Sequence, residues 1–569
     1  MDDTLIERAQ AWLAQDPDGH TRAELDDLIV RARDGDDQAQ ADLADRFDGR
    51  LVFGTAGLRG RLGAGSRRMN RGLVAQAAAG LAAYLNENAG PDAPSTVVIG
   101  DDGRRNSRIF AVDSAELFAG AGLRTILLPR LLPTPVLAFA VRHLGADAGV
   151  MVTASHNPPD DNGYKVYLGG PDQGSQIVPP TDGEIAAHIQ QVADHQKVSE
   201  LPRSTGYEVA AESVVDDYVA ATAAVGPAPA GAHGMRWVYT AMHGVGWETT
   251  SRVIEAAGYP QPTPVRAQLE PDGTFPTVSF PNPEEPGAMD LAFQTAREAD
   301  AELVIANDPD ADRLAVGIPS PGAEGGWRRM SGNEIGLLLG WWAARAAADA
   351  TAGGSLACSL VSSPGLQAVA RHYGLAFEAT LTGFKWISRA PGLVYGFEEA
   401  LGYLVNPRTV RDKDGISAAI AVLNLAADAR SEGRTLADLL EEFDETFGAF
   451  ASDQVAIRVD DVTVIGRIMA GLREAAPERL GDAAVEAVDD FRDGRDGLPP
   501  TDMLRLQVAA GGRVLVRPSG TEPKLKAYLD VRGDSADQAA SRLAALRAAV
   551  SALLDELAAR HPERHLELG

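Results

Sequence analysis

Residues 151–167 read Met-Val-Thr-Ala-Ser-His-Asn-Pro-Pro-Asp-Asp-Asn-Gly-Tyr-Lys-Val-Tyr, which places a hydroxyl, an imidazole and an ammonium on one short stretch. Ser155 follows the apolar run Ala148–Val152, whose composition predicts a buried strand. The serine therefore stands at a strand end, where α/β proteins carry reactive groups. Asn157-Pro158-Pro159 excludes helix and sets a turn, and Asn162-Gly163 predicts a second turn before Lys165. A serine in a turn is common, so its weight depends on the company it keeps.

The second constellation is Asn307-Asp308-Pro309-Asp310-Ala311-Asp312-Arg313, directly after the strand-like Ala301–Ala306. Three carboxylates at alternate positions repel one another, and the repulsion calls for a cation. Oxygen ligands alone select a hard ion, Mg²⁺ or Ca²⁺, over zinc. The glycine and distal glutamate of an EF-hand loop are missing. A third stretch, Gly396-Phe-Glu-Glu-Ala-Leu-Gly402, sets Glu398 between glycines, where a carboxylate can accept sugar hydroxyls or sit at a helix N-terminus. The fourth, Arg517-Pro-Ser-Gly-Thr-Glu-Pro-Lys-Leu-Lys526, joins an arginine to hydroxyls and a glycine turn after the strand-like Arg513–Val516. Such a turn is an anion cradle, with Arg517, Ser519, Gly520, Thr521 and Lys524 as its candidate contacts.

In this order the four stretches resemble the α-D-phosphohexomutase family, which includes phosphoglucomutases and phosphomannomutases. The resemblance implies that Ser155 carries a phosphoryl group, with His156 beside it and Lys165 as acid/base or charge stabiliser. It implies that Asp308, Asp310 and Asp312 hold Mg²⁺ together with an oxygen on Ser155, and phosphate chemistry favours that ion. Thr382-Gly-Phe-Lys385 and Phe53-Gly-Thr-Ala-Gly-Leu-Arg59 resemble two further loops of the family, which brings Lys385 and Arg59 to the same site. The sugar loop departs from the family's usual Gly-Glu-x-Ser, because Ala400 stands where the serine would be. That departure matches a branch holding both hexose and pentose phosphate mutases. The expected activity is interconversion of hexose 1-phosphate and 6-phosphate, of glucose or mannose, through a bound hexose 1,6-bisphosphate. The alternative is a phosphopentomutase acting on ribose or deoxyribose 1-phosphate.

Lysine usage supports the set. The chain has 52 basic residues, of which lysines are only 165, 197, 385, 413, 524 and 526. Arginine cannot replace a compact ammonium where phosphate packs closely or a proton moves. Four of the six lysines lie in the stretches above, Lys413 lies in the family-like Arg411-Asp-Lys-Asp-Gly-Ile-Ser417, and Lys197 reads as plain surface.

These residues need a scaffold, and the chain's patterning supplies one. Net charge is −28, which argues against nucleic acid and anionic membranes as partners. An anionic sugar phosphate then requires a local positive pocket, for which Arg59, Lys165, Lys385, Arg517 and Mg²⁺ are the candidates. The single cysteine, Cys358, excludes an internal disulfide and lies in an apolar run. Met1-Asp-Asp-Thr4 has no signal-peptide character, and no uncharged run approaches about 18 apolar residues, so a cytoplasmic location is expected. The sequence leaves the oligomeric state open.

Residues 1–48 carry a helical pattern, and 69–205 alternate helix and strand around the turn Pro133-Thr-Pro135. A second α/β unit opens at Arg236–Thr240, where Gly244-Val-Gly246 imitates a dinucleotide fingerprint but lacks its third glycine. The stretch Pro319–Gly326 reads as a linker, and Ser535–Arg560 as a closing helix. The expected domains are 1–205, 206–322, 323–445 and 446–569, carrying the serine, metal, sugar and phosphate loops in turn. The resemblance implies an α/β fold of four domains around a central cleft: three related units with mixed sheets and a smaller C-terminal α+β domain. A metal-dependent phosphatase would need water at Ser155, and a serine hydrolase lacks its Gly-x-Ser-x-Gly turn.

Overall fold

The computed structural model describes residues 3–90, 94–350, 353–459, 463–519, 524–559 and 567–568. They fall into two compact units. The first comprises residues 1–330, 384–389 and 401–433, and the second 331–383, 390–400 and 434–569.

The first unit opens with three helices, Asp3–Gln15, Gly19–Arg33 and Asp37–Phe47. Their apolar faces, among them Trp12, Leu25, Leu28 and Leu43, join one core with the helices Arg71–Glu87 and Ser107–Gly120. The first sheet runs in the order Leu58–Arg61, Asp161–Leu168, Ala148–Val152, Thr96–Asp101, Arg124–Leu127, Glu208–Val209. Thr96–Asp101 is parallel to both of its neighbours. Asp161–Leu168 runs antiparallel to Ala148–Val152, with Lys165 opposite Met151, and antiparallel to Leu58–Arg61, with Arg59 opposite Gly163. The second sheet repeats the plan in the order Trp327–Arg329, Leu314–Pro319, Leu303–Asn307, Trp237–Thr240, Thr263–Pro264. Leu303–Asn307 is parallel to Trp237–Thr240 and antiparallel to Leu314–Pro319. Both sheets are therefore mixed. In each, a buried parallel strand turns back on itself through a loop, residues 153–160 in one and 308–313 in the other, and those loops carry Ser155 and the aspartates.

Three local expectations need correction. Asn162-Gly163 is not a turn but lies inside the strand Asp161–Leu168. A Cβ on Gly163 would come within 2.6 Å of Thr153 O and 2.8 Å of Leu58 O, so the glycine is there because the strand is squeezed between two neighbours. Pro133-Thr-Pro135 is the start of the helix Thr134–His143, with a proline in its first turn, where the missing N–H costs nothing. Pro319–Gly326 closes a hairpin onto Trp327–Arg329, so the second sheet extends past the expected boundary at residue 322.

In the second unit, Ala376–Thr380, Ser355–Ser359 and Leu393–Glu398 lie side by side in parallel, and Cys358 is buried in the middle strand. The C-terminal part is an antiparallel sheet that includes Ala449–Arg458, Leu504–Val508, Gly512–Pro518 and Lys524–Gly533. Helices Thr463–Glu474 and Ala536–Ala559 share a core with it. Arg560, the expected end of the last helix, lies outside the described residues. Among the described residues no helix is long and apolar enough to cross a membrane.

Candidate active site

Ser155 follows the first residue of the tight turn closed by Asn157 N–H to Ala154 O, at φ 51°, a left-handed conformation that costs an L-residue free energy. Its N–H donates to Thr153 Oγ1 at 2.8 Å. Its hydroxyl donates to Asp308 Oδ2 at 2.7 Å, and His156 Nδ1 lies 3.2 Å from the same Oγ. The serine loop and the aspartate loop thus meet at the residue expected to react.

The aspartate loop is held from all sides. Arg313 N–H donates to Asp308 Oδ1 at 3.0 Å and Ala311 N–H to Asp308 O at 2.8 Å. Asn307 bridges Tyr239 OH, which donates to its Oδ1 at 2.9 Å, and Arg313 O, to which its amide donates at 2.6 Å. Val245 N–H donates to Pro309 O at 2.9 Å. A Cβ on Gly244 would come within 2.3 Å of Pro309 Cα and O. The glycines that imitate a cofactor fingerprint instead let this loop close against the aspartates.

Asp308, Asp310 and Asp312 are all fully buried, and one ligand oxygen from each lies within 4.8 Å of the others. Lys165 Nζ donates to Asp310 Oδ2 at 2.7 Å and to Asp312 Oδ2 at 2.9 Å. Lys413 Nζ lies 3.3 Å from Asp312 Oδ2 and 3.2 Å from Asp412 Oδ1. Thr134 adds its hydroxyl to Asp310 Oδ2 at 2.6 Å and its N–H to Asp310 O at 2.9 Å. Asp310 Oδ1 and Asp312 Oδ1 are buried and accept no hydrogen bond. Buried carboxylate oxygens without donors are costly. Two of them in a set of oxygen-only ligands beside Ser155 Oγ fit a hard divalent cation.

The charges are unequal. Burial and the nearby Asp312 charge raise the Asp308 and Asp310 carboxyls above the ordinary range. Burial acts the same way on Asp312, but Lys165, Lys413 and Arg313 overcome it and hold that carboxyl far below the ordinary range. Lys165 is opposed by burial yet raised on balance by Asp310 and Asp312, so it stays an ammonium. Burial, helped by Arg313 and Arg59, pushes the His156 imidazole well down, which keeps it neutral.

The remaining candidates in this unit lie close by along the chain or by contact. Arg59 Nη1 donates to Asn157 Oδ1 at 3.2 Å, on the serine loop itself. Lys385 Nζ donates to Thr55 Oγ1, in the loop that leads to Arg59. Lys385 and Lys413 come from segments 384–389 and 401–433, which cluster with the first unit although the chain between them does not. The surface reading of Lys197 agrees with its 70% exposed side chain.

In the second unit Glu398 ends the strand Leu393–Glu398 and Ala400 follows it. The neighbouring Glu399 is tied down: Ser359 and Ser362 hydroxyls donate to its Oε2 at 3.2 and 2.9 Å, and its N–H donates to Ser362 Oγ at 3.1 Å. Burial first, then Glu399 and Glu398, push the Tyr528 phenol up, while Arg517 pulls against them, so this ring sits among both loops of the unit. Arg517 pairs with Lys526 across the hairpin, and Ser519 N–H donates to Lys524 O at 2.8 Å. Gly520 and Thr521 lie outside the described residues.

Sequence reasoning missed Thr134 and gave Lys413 no role. Thr134 had no signal beyond Pro133-Thr-Pro135, which reads as a turn. Lys413 was visible as one of six lysines but not as a partner of Asp312.

Profiles of the phosphoglucomutase/phosphomannomutase family match in four segments: α/β/α domain I at residues 50–196, domain II at 216–320, domain III at 331–447 and the C-terminal domain at 474–549. A Haemophilus influenzae protein named "Probable phosphomannomutase" is 53% identical over 466 residues, covering 82% of this chain and 93% of that one. The phosphopentomutase of Mus musculus is 34% identical, covering 93% of this chain and 91% of its own length. Among solved structures, a phosphoglucomutase/phosphomannomutase family protein from Burkholderia thailandensis superposes with a TM-score of 0.68 at 20% identity, covering 91% of this chain and 99% of that one.

Proposed function

The chain belongs to the phosphoglucomutase/phosphomannomutase family and is an isomerase of the phosphosugar mutase type, and from that premise we propose that it interconverts hexose 1-phosphate and hexose 6-phosphate through a phosphoserine at Ser155. The observation that carries the proposal is the bond from Ser155 Oγ to Asp308 in a buried triad with two donor-less oxygens. That arrangement suits a serine whose phosphoryl group is shielded and neutralised, since phosphoryl transfer depends on positioning and charge stabilisation.

In the forward step the sugar hydroxyl attacks phosphorus on phospho-Ser155. The Ser155 Oγ–P bond breaks as the sugar O–P bond forms, giving a hexose 1,6-bisphosphate. Lys165 and Arg59 offset charge on the transferring group, and Lys165 is held for this by its two aspartate bonds. The proton lost by the attacking sugar hydroxyl ends on Ser155 Oγ as the Oγ–P bond breaks, and His156, beside Oγ, is placed to relay it. After the bisphosphate reorients, its other phosphoryl returns to Ser155. Asp308, Asp310 and Asp312 would hold Mg²⁺ with a Ser155 oxygen, and the bound ion would supply Lewis-acid neutralisation of phosphoryl charge. Glu398 and Lys385 are assigned to the sugar. Arg517, Ser519, Gly520, Thr521 and Lys524 are assigned to the phosphate that is not transferred.

A pentose reading stands second, favoured by Ala400 in place of a serine and by the phosphopentomutase relative. A missing hydroxyl removes about 0.5–1.5 kcal/mol of one hydrogen bond. It should therefore broaden sugar choice several-fold without changing the reaction. The 53% relative supports the hexose reading. Initial rates on glucose, mannose and ribose 1-phosphates test it. Faster turnover of a hexose than of ribose 1-phosphate is expected, and the reverse order would promote the pentomutase.

A further inference from the structure

We propose that Arg104 is the positioning residue that sets the serine loop, an assignment that rests on Ser155 being the group that carries the phosphoryl. Arg104 follows the strand Thr96–Asp101 and is 4% exposed. Its Nη2 donates to Ser155 O at 2.7 Å and to Asn157 O. Its Nη1 donates to Pro158 O at 2.8 Å and to Asp161 O at 3.1 Å. One guanidinium therefore grips four main-chain carbonyls across the whole turn.

The rest of Arg104 is equally fixed. Its guanidinium carbon lies 4.9 Å from the centroid of the Phe275 ring, and its Nε faces Asp102 Oδ2 at 3.8 Å. Asp102 Oδ1 accepts Arg104 N–H at 3.0 Å and Ser107 Oγ–H at 2.7 Å. Phe275 is 3% exposed and comes from the loop of Gly273, where a Cβ would lie 2.8 Å from Arg105 N, so the ring has little room to shift.

Ser155 needs such a grip. A left-handed serine persists only where its surroundings over-determine it. Thr153 Oγ1 pins its N–H and Arg104 pins its carbonyl, and with both ends held the hydroxyl points at Asp308 Oδ2. The four terminal donor contacts of Arg104 go to backbone, so it acts through Ser155 and not on the reacting atoms. Lysine cannot substitute, because its three donors sit on one nitrogen and lack the planar fork.

The test compares wild type, Arg104→Lys and Phe275→Leu by steady-state kinetics, thermal melting and hydrogen exchange of the 153–161 peptide. A loop displaced by about 1 Å costs roughly a hundredfold in rate. Arg104→Lys should lose about that factor in kcat, with KM within about threefold and faster exchange centred on 153–161, and the buried carbonyls it leaves short of donors should also lower the melting temperature. Phe275→Leu should lose several-fold in kcat with the same unchanged KM, and it decides the matter if Arg104→Lys does not fold. A folded Arg104→Lys enzyme with wild-type kcat, or with only a raised KM, overturns the assignment. So does wild-type kcat in Phe275→Leu when that variant has to decide. A wild type with neither mutase activity nor phosphoserine overturns the functional reading and this assignment together.

Discussion

Asp308 and Asp312 should respond unequally to loss of charge when no divalent cation is present: only loss of Asp312 should destabilise. Ligand oxygens of the triad lie within 4.8 Å of one another. At an effective dielectric of about 20, two unit charges at that distance repel by about 3.5 kcal/mol. Asp312 is compensated by Lys165 at 2.9 Å and Lys413 at 3.3 Å. Asp312→Asn strips a counter-charge from two buried ammoniums, a loss of about 3–5 kcal/mol. Asp308 is met by the Ser155 hydroxyl and the Arg313 N–H. Asp308→Asn relieves the repulsion and weakens two hydrogen bonds by about 1 kcal/mol each, so the net effect lies between no change and about 2 kcal/mol of stabilisation. The assay is thermal melting at one scan rate, in EDTA and across a Mg²⁺ titration. At up to about 2 °C per kcal/mol for a unit this large, Asp312→Asn should melt about 6–10 °C lower in EDTA. Asp308→Asn should melt level with wild type or up to about 4 °C higher. Mg²⁺ at about a hundred times its Kd adds about 2.7 kcal/mol to wild type, and both variants should lose most of that gain. Equal destabilisation of the two variants in EDTA would refute the charge reasoning.

Gly244→Ala forces a methyl to within 2.3 Å of Pro309, so Mg²⁺ affinity measured by calorimetry should fall by about tenfold or more with the fold retained; unchanged affinity would contradict this. Arg517→Ala should raise KM by about ten- to a hundredfold by removing a charge-assisted phosphate contact, and an unchanged KM and kcat would take this loop out of the site. Burial, with Glu334 and Glu441 nearby, pushes the Asp444 carboxyl up to about 6. A raised acid favours the folded state at low pH and loses that advantage as pH rises through about 6. Asp444→Asn should therefore raise the melting temperature at pH 8 by a degree or two, roughly. The gain should shrink as pH falls from about 6 to about 4 and vanish below the ordinary carboxyl range, and a gain independent of pH would contradict the assignment.

The features legible in the sequence were those that local chemistry dictates. Buried runs such as Ala148–Val152 became strands, and the polar loops at their ends brought Ser155 and the aspartates together. The triad was legible because three adjacent carboxylates have no comfortable alternative to a cation. Asn162-Gly163 misled, because a dipeptide with local turn preference was overruled by a strand on each side. Thr134, Lys413 and Arg104 were not recognised because their partners lie 50 to 180 residues away in the chain. Only the folded sheet brings Thr134 to Asp310 or Arg104 to Ser155.

The central claim is that Ser155 carries the phosphoryl group. Intact-mass analysis of active enzyme, followed by peptide mapping, tests it most directly. One phosphate on Ser155, lost as released hexose 1,6-bisphosphate when excess sugar monophosphate is added and regained with hexose 1,6-bisphosphate, is the predicted result; Ser155→Ala should carry none and turn over no substrate. An enzyme that isomerises at full rate with Ser155 unphosphorylated, or with Ser155 replaced by alanine, would contradict the account.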